Sequence, residues 1–315
     1  MKRISNVLLL ILVFSLLGCS NESNADSITV IVPNGSTSIA QAYLEYTLKD
    51  SDIYDYNVLR VSGPEPLIAA FVNEEFDFII APINLGAKLI NTGANYTFLA
   101  TITEGNLLLA SRKPLLSIHD LSGKHIIAFG QNNTPDIVLQ SILSAINFNS
   151  SPTIEYVGNT QATLAELLRS EDSIVLISEP FVSMSNNHLE EVFLIDLNQV
   201  WQELLELPSF PQAGLFVKND VSPHLIEQYM QLFEESIIFA NTYPNLLAHY
   251  CNELSYPFDS NIISHSIERS GLVFNPALDA KESVEAYFNF ILDKNPDLIH
   301  NKLPNESFYY NKVKE

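Results

Sequence analysis

Short β-rich runs alternate with helix-compatible stretches along almost the whole chain, and the alternation restarts once. Residues 28–32, 56–61, 76–80 and 96–101 are rich in β-branched and aromatic side chains and read as strands. Between them, 39–48, 66–72 and 85–91 read as helices. After Lys113-Pro114 the pattern begins again, with strands at 126–129, 154–157, 174–177 and 192–195 and helices at 135–146, 164–169 and 181–187. This order at this spacing builds βαβ units, so the chain is expected to be α/β, in two blocks with mostly parallel sheets. Pro208 and Pro211 then break the second block. A strand-like 214–217 follows, and the remainder reads as helices at 223–241, 244–254, 261–269 and 280–292. The chain is thus expected to cross twice between blocks, with hinge segments near 107–114 and 207–213. Residues 28–110 and 213–315 form lobe one, and 111–212 form lobe two, inserted in the first. A ligand cleft lies between them, closed by hinge motion.

Ahead of the first strand stands a different signal. Lys2 and Arg3 are followed by an apolar run over 7–14, too short to remain as a membrane span, and then by Leu16-Leu17-Gly18-Cys19. This order resembles the signal peptide and lipobox of bacterial lipoproteins, in which the Cys becomes the acylated N-terminus. The resemblance implies a signal peptide over 1–18, lipidation at Cys19 and a polar tether over 19–27. A soluble body is then held on the extracytoplasmic face of a bacterial membrane by lipid alone.

The apolar fraction of 47% suits a chain that buries a core. The net charge is −21, and more negative without Lys2 and Arg3, which argues against a nucleic-acid partner. Apart from Cys19 the only cysteine is Cys251, so neither a disulfide framework nor a cysteine metal site is available. A lone Cys within 246–254 reads as a small core residue.

Ligands of parallel α/β sheets meet the loops at the C-terminal ends of strands, beside helix N-termini. Pro33-Asn34-Gly35-Ser36-Thr37-Ser38 offers close backbone approach and hydroxyls, so Asn34, Gly35, Ser36 and Thr37 are candidates, a plain helix cap being the alternative. Ser62 and Gly63 end the second strand, and Ala81 and Ile83 flank the third, with Asn84 as a cap. Glu104 stands before the hinge as a candidate cleft carboxylate. In the second block, Gln131, Asn132, Asn133 and Thr134 open a helix with Pro135 at its first position. Asn159, Ser178 and Glu179 repeat the logic after the next strands, and a buried Glu179 would need a partner or a ligand. Phe181, Phe210 and Trp201 are candidate stacking platforms or core residues.

His-Glu-x-x-His, Gly-x-Ser-x-Gly and phosphate-loop motifs are absent from the sequence, and its seven histidines are scattered, so no metal, cofactor or catalytic set is expected. Beyond Arg3, the arginines are Arg60, Arg112, Arg169 and Arg269, and none lies in a candidate loop.

The residues Ala81-Pro82-Ile83-Asn84-Leu85-Gly86-Ala87-Lys88-Leu89 and Gly105-Asn106-Leu107 resemble the ABC-transporter solute-binding proteins of the nitrate, sulfonate, taurine and thiamine-precursor group. Asp120-Leu121-Ser122-Gly123-Lys124, Thr134-Pro135-Asp136 and Ser178-Glu179-Pro180-Phe181 extend the match, which spans roughly 28–218. The resemblance implies a two-lobed type II periplasmic-binding fold that captures a small molecule and delivers it to a permease and its ATPase. No catalysis by this subunit is implied. Signature arginines of anion binders are not evident. A neutral or weakly basic heterocycle, with Glu104 or Glu179 bonded to its amino group, is the ligand expected on that basis. Two alternatives are a sensing or adhesion lipoprotein and an enzyme on the same fold, since menaquinone-pathway enzymes resemble these binders.

Overall fold

The computed structural model describes residues 26–311. The signal peptide, Cys19 and most of the tether fall outside them. The first lobe is built on β1 (Asp26–Pro33), β2 (Tyr54–Val61), β3 (Phe78–Pro82) and β4 (Tyr96–Glu104), joined by the returning β10 (Pro211–Lys218) and β11 (Leu272–Pro276). Their order in the sheet is β11-β4-β10-β3-β1-β2. The second lobe holds β5 (Leu107–Ser111), β6 (His125–Phe129), β7 (Thr153–Val157), β8 (Ile174–Ser178) and β9 (Phe193–Asp196), ordered β7-β6-β8-β5-β9.

Both sheets are mixed, which corrects the expectation of mostly parallel pairing. β1 pairs in parallel with β2 and β3, as the βαβ reading requires, but β10 runs antiparallel between β3 and β4. In the second sheet β5 enters antiparallel to both β8 and β9. β5 and β10 sit where the chain passes between lobes, joined to their neighbours without a crossover helix, whereas β11 runs antiparallel to β4 at the edge of the lobe-one sheet.

Strand alternation distributes the core. Val30, Phe78 and Leu215 face a cluster covered by α1 (Ser36–Ala40), α2 (Ala42–Leu48), α9 (Pro223–Thr242), α10 (Pro244–Glu253) and α11 (Ser260–Ser266). Their neighbours Ile31, Ile79 and Phe216 face the other side, against α3 (Glu65–Asn73), α4 (Ile83–Asn91) and α12 (Ala277–Lys294). Cys251 lies fully buried in the first of these clusters, and burial pushes its thiol up to about 12, far from nucleophilic range.

In the second lobe, α5 (Thr134–Ala145) and α8 (Leu197–Leu205) cover one face, while α6 (Thr160–Arg169) and α7 (Phe181–Ser185) cover the other. The first of these faces is continuous with the α3/α4/α12 side of lobe one through Trp201, Phe210 and Tyr287. A single apolar seam therefore ties the outer backs of the lobes together.

The crossings lie closer to the sheets than the hinge segments read from the sequence. Residues 107–111 are the fully buried strand β5, and the chain leaves lobe one through Gly105-Asn106 just before it. The return runs from the end of α8 to β10, which begins at Pro211.

Candidate functional site

The C-terminal ends of β1, β3, β6 and β8 face one another across the gap between the sheets, and two hydrogen-bonded bridges span it. The first joins the start of α1 to the loop after β8. Ser36 Oγ approaches the Glu179 carbonyl oxygen at 3.1 Å and Ser270 Oγ at 3.0 Å. Gly35 lies in contact with Pro180, and its φ of 118° suits glycine.

Beside this contact lies the buried ion pair of the cleft. Arg269 Nε donates to Glu179 Oε1 at 2.8 Å, and its terminal nitrogen stands 2.6 Å from the same oxygen. Glu179 Oε2 accepts from the Ser183 backbone N–H at 2.9 Å. The Glu179 side chain is fully shielded from water, whereas Arg269 is one-third exposed at 33%. Burial pushes the Glu179 carboxyl above the usual carboxylate range, opposed by the Arg269 charge and the Ser183 bonds.

The second bridge lies at the opposite side of the gap. Tyr287 OH on α12 donates to Thr134 Oγ1 at 3.0 Å, and Thr134 Oγ1 donates to Asn84 Oδ1 on α4 at 3.0 Å. All three residues are buried, so this relay pairs the Tyr287 hydroxyl, the Thr134 hydroxyl and the Asn84 carbonyl oxygen away from bulk water.

A polar cluster occupies the hinge. Glu104, half-buried at the end of β4, accepts from Asn275 Nδ2 at 3.0 Å and bonds to Ser209. Ser209 Oγ donates to Asn198 Oδ1 at 2.9 Å. Burial raises the Glu104 carboxyl above its ordinary range, and the Asn275 and Ser209 bonds oppose that. The Asn106 backbone N–H donates to Gln212 Oε1 at 3.2 Å, while Asn106 Oδ1 is buried without a partner. Gly271 makes the hinge close: a Cβ there would fall 1.9 Å from the Glu104 carbonyl oxygen, and its φ is +61°.

The other residues singled out by sequence fall into distinct places. Ser36, Thr134 and Glu179 bind across the gap to protein partners, so their polar groups are already engaged. Of the partner or ligand that a buried Glu179 needs, Arg269 supplies the partner. Ala81, Ile83 and Phe210 are buried apolar core, with Phe210 edge-on to Trp201 at 5.5 Å, so Phe210 is not an open stacking platform. Phe181 is half-buried, edge-on to Phe258 at 5.8 Å, and packs between the lobes. Thr37 Oγ1 donates to the Pro33 carbonyl, and Asn159 caps α6 by accepting from the Ala162 N–H. Asn34 and Ser62 are exposed and bonded to each other at 3.2 Å, beside exposed Gly63. Gln131, Asn132 and Asn133 line the exposed mouth of the α5 loop, and Ser178 is half-buried. Glu104 stands at the hinge, and no ion pair is formed by its carboxylate among the described residues.

Sequence reasoning missed Arg269, Asn106, Asn198, Ser209, Ser270, Asn275 and Tyr287. Arg269 stands in a helical stretch 90 residues from Glu179, and nothing local marks it. A cap signal was available for α8: Asp196 precedes Leu197, Val200, Trp201, Leu204 and Leu205 at helical spacing, and its side chain accepts from the Asn198 and Gln199 N–H groups.

Comparisons with known proteins agree with this architecture. A family model described as menaquinone biosynthesis matches residues 103–290. No curated protein sequence matches the chain. Among solved structures, an ABC transporter protein of Parabacteroides distasonis is similar at 22% identity, covering 91% of this chain and 99% of that one with a TM-score of 0.79. The ligand-binding component of an ABC-type import system from Staphylococcus aureus, with zinc bound, is similar at 11% identity, covering 91% and 96% with a TM-score of 0.69. The periplasmic aliphatic sulphonate binding protein of Escherichia coli is similar at 13% identity, covering 93% and 96% with a TM-score of 0.62. The fold is that of the two-lobed type II periplasmic-binding proteins.

Proposed function

The chain belongs to the menaquinone-biosynthesis family and carries the two-lobed binding-protein fold, and from these premises we propose that it is a solute-binding protein. It captures a small molecule between its lobes and delivers it to the permease and ATPase of an ABC importer. The observation that carries this reading is the pair of bridges between the lobes, from the Ser36 hydroxyl to the Glu179 backbone carbonyl and along the side chains Tyr287–Thr134–Asn84. Groups that pair only when the lobes meet make closure a bonded state, and a ligand enclosed there stabilises that state by its differential affinity. The import components among the similar structures support the same reading over nearly the full described length.

We also propose that Leu16-Leu17-Gly18-Cys19 anchors this body to the extracytoplasmic face of the membrane through lipid on Cys19. No described helix is long and apolar enough to cross a membrane. Cys19→Ala is expected to move the protein from the membrane fraction to the soluble one, checked by fractionation and by intact mass.

The family description favours a second reading, an enzyme acting on a menaquinone precursor. One experiment separates the two. Thermal melting of the full-length protein in nonionic detergent is followed against vitamins, pyrimidines, sulfonates, amino acids, oxyanions and menaquinone precursors, with product analysis of each mixture. A ligand at a hundredfold excess over its Kd stabilises the native state by about 2.7 kcal/mol, a visible shift. A shift with the ligand recovered unchanged is the expected result; conversion of a precursor would replace capture by catalysis.

A further inference from the structure

The loops at the strand ends are short of cations. The loops that meet there contain no Lys, Arg or His at 34–37, 62–65, 81–84, 104–106, 130–134, 158–160 and 178–181. Arg269 reaches the gap from outside these loops, one-third exposed, and its charge is matched by Glu179. The remaining described arginines are paired elsewhere: Arg60 with Glu45, Arg112 with Glu171 and Arg169 with Glu166.

Against this stands Glu104. Its neighbours Asn275, Ser209 and Asn198 are uncharged, so its carboxylate is bonded but not neutralised. Two residues on, the buried end of the Asn106 carboxamide has no partner. An unmatched polar atom inside a protein is costly, and a local rearrangement on ligand binding that gives it a donor would remove the cost. Burial also holds the Glu104 carboxyl above its ordinary range, a penalty that a cation at hydrogen-bond distance would relieve.

We infer that the cleft takes a small organic cation, an ammonium, amidinium or guanidinium, whose N–H groups donate to Glu104 at the hinge. This rests on the reading of the protein as a capture protein and specifies the charge of what it captures. It also separates this chain from an anion binder built on an arginine clamp, because Arg269 is paired with Glu179.

The test uses four compounds that share one ring and differ in head group: benzamidine, benzamide, benzoate and benzenesulfonate. Each is titrated calorimetrically into the full-length protein in nonionic detergent. Benzamidine is expected to bind about tenfold more tightly than benzamide, the difference a charge-assisted bond supplies, with no heat from the two anions. Glu104→Gln is expected to bring benzamidine down to the level of benzamide, and Glu104→Asp, which keeps the charge, to retain the preference. Anion binding equal to that of benzamidine, or an undiminished preference in Glu104→Gln, would overturn the inference. If the cationic probe is silent while an anionic compound of the melting panel binds, the charge assignment falls and capture stands. If every compound in both experiments is silent with the protein folded, capture falls as well.

Discussion

Glu179 and Glu104 are both acids withdrawn from water, and their neighbours give them different properties. Glu179 has an arginine within bonding distance, so its burial is matched by a cation; removing that cation leaves a charge with no water and no counter-ion. Arg269→Ala is therefore expected to lower stability by about 2 kcal/mol, below the 3–5 of a fully enclosed pair because Arg269 is partly exposed. Urea denaturation measures it, and adding Glu179→Gln to Arg269→Ala should restore part of the loss. Glu104 has only uncharged partners and a raised folded pKa against an ordinary value of 4.5. A group of this kind favours the folded state when protonated, and that contribution disappears as pH rises through the folded pKa. Glu104→Gln should therefore melt higher than the parent protein at pH 7.5, with the difference vanishing below about pH 4.5, where both side chains are neutral. Thermal melts across that range check the sign.

At the scale of elements, close packing between α4 and β10 positions one side of the cleft. Gly86 lies on α4 where a Cβ would fall 2.1 Å from the Phe216 ring on β10, so the helix rests directly on the sheet and presents Asn84 to Thr134. Gly86→Ala gains helix propensity but overpacks the contact, and a net loss of about 1–3 kcal/mol is expected from denaturant midpoints. Most strands and helices were legible because their signals are local: the continuous apolar run Phe78-Ile79-Ile80-Ala81 and the Ser222-Pro223 start of α9 are readable without neighbours. Three elements were not. β5 is the short run Leu107-Leu108-Leu109-Ala110-Ser111 close to Pro114, and reads as a link until β8 and β9 pair with it. β11 ends in Pro276 and pairs irregularly at the edge of its sheet. α8 follows so closely on β9 that Asp196 both ends the strand and caps the helix.

For the whole molecule, closure depends on contacts of high sequence separation. The Ser36–Glu179 bond joins positions 143 residues apart, and Tyr287–Thr134 joins positions 153 apart. The apolar seam through Trp201, Phe210 and Tyr287 holds the backs of the lobes together, so breaking the bridges should open the cleft without unfolding either lobe. Combining Ser36→Ala, Arg269→Ala and Thr134→Val is expected to increase the radius of gyration in small-angle scattering while circular dichroism stays native. An unchanged radius would mean that the seam alone maintains closure.

The sequence by itself determined the two α/β blocks, the restart between them, the second crossing through the Pro208–Pro211 segment and the polar loops at strand ends. Each of these follows from periodicity, turn residues or charge counted over a short window. Only the tertiary structure decided which polar residues remain free. Glu179 and Glu104 are both acids at strand ends, and nothing local distinguishes them. One meets Arg269 across the lobes and the other does not, because the pairing is set by the approach of distant segments rather than by the residues beside each acid.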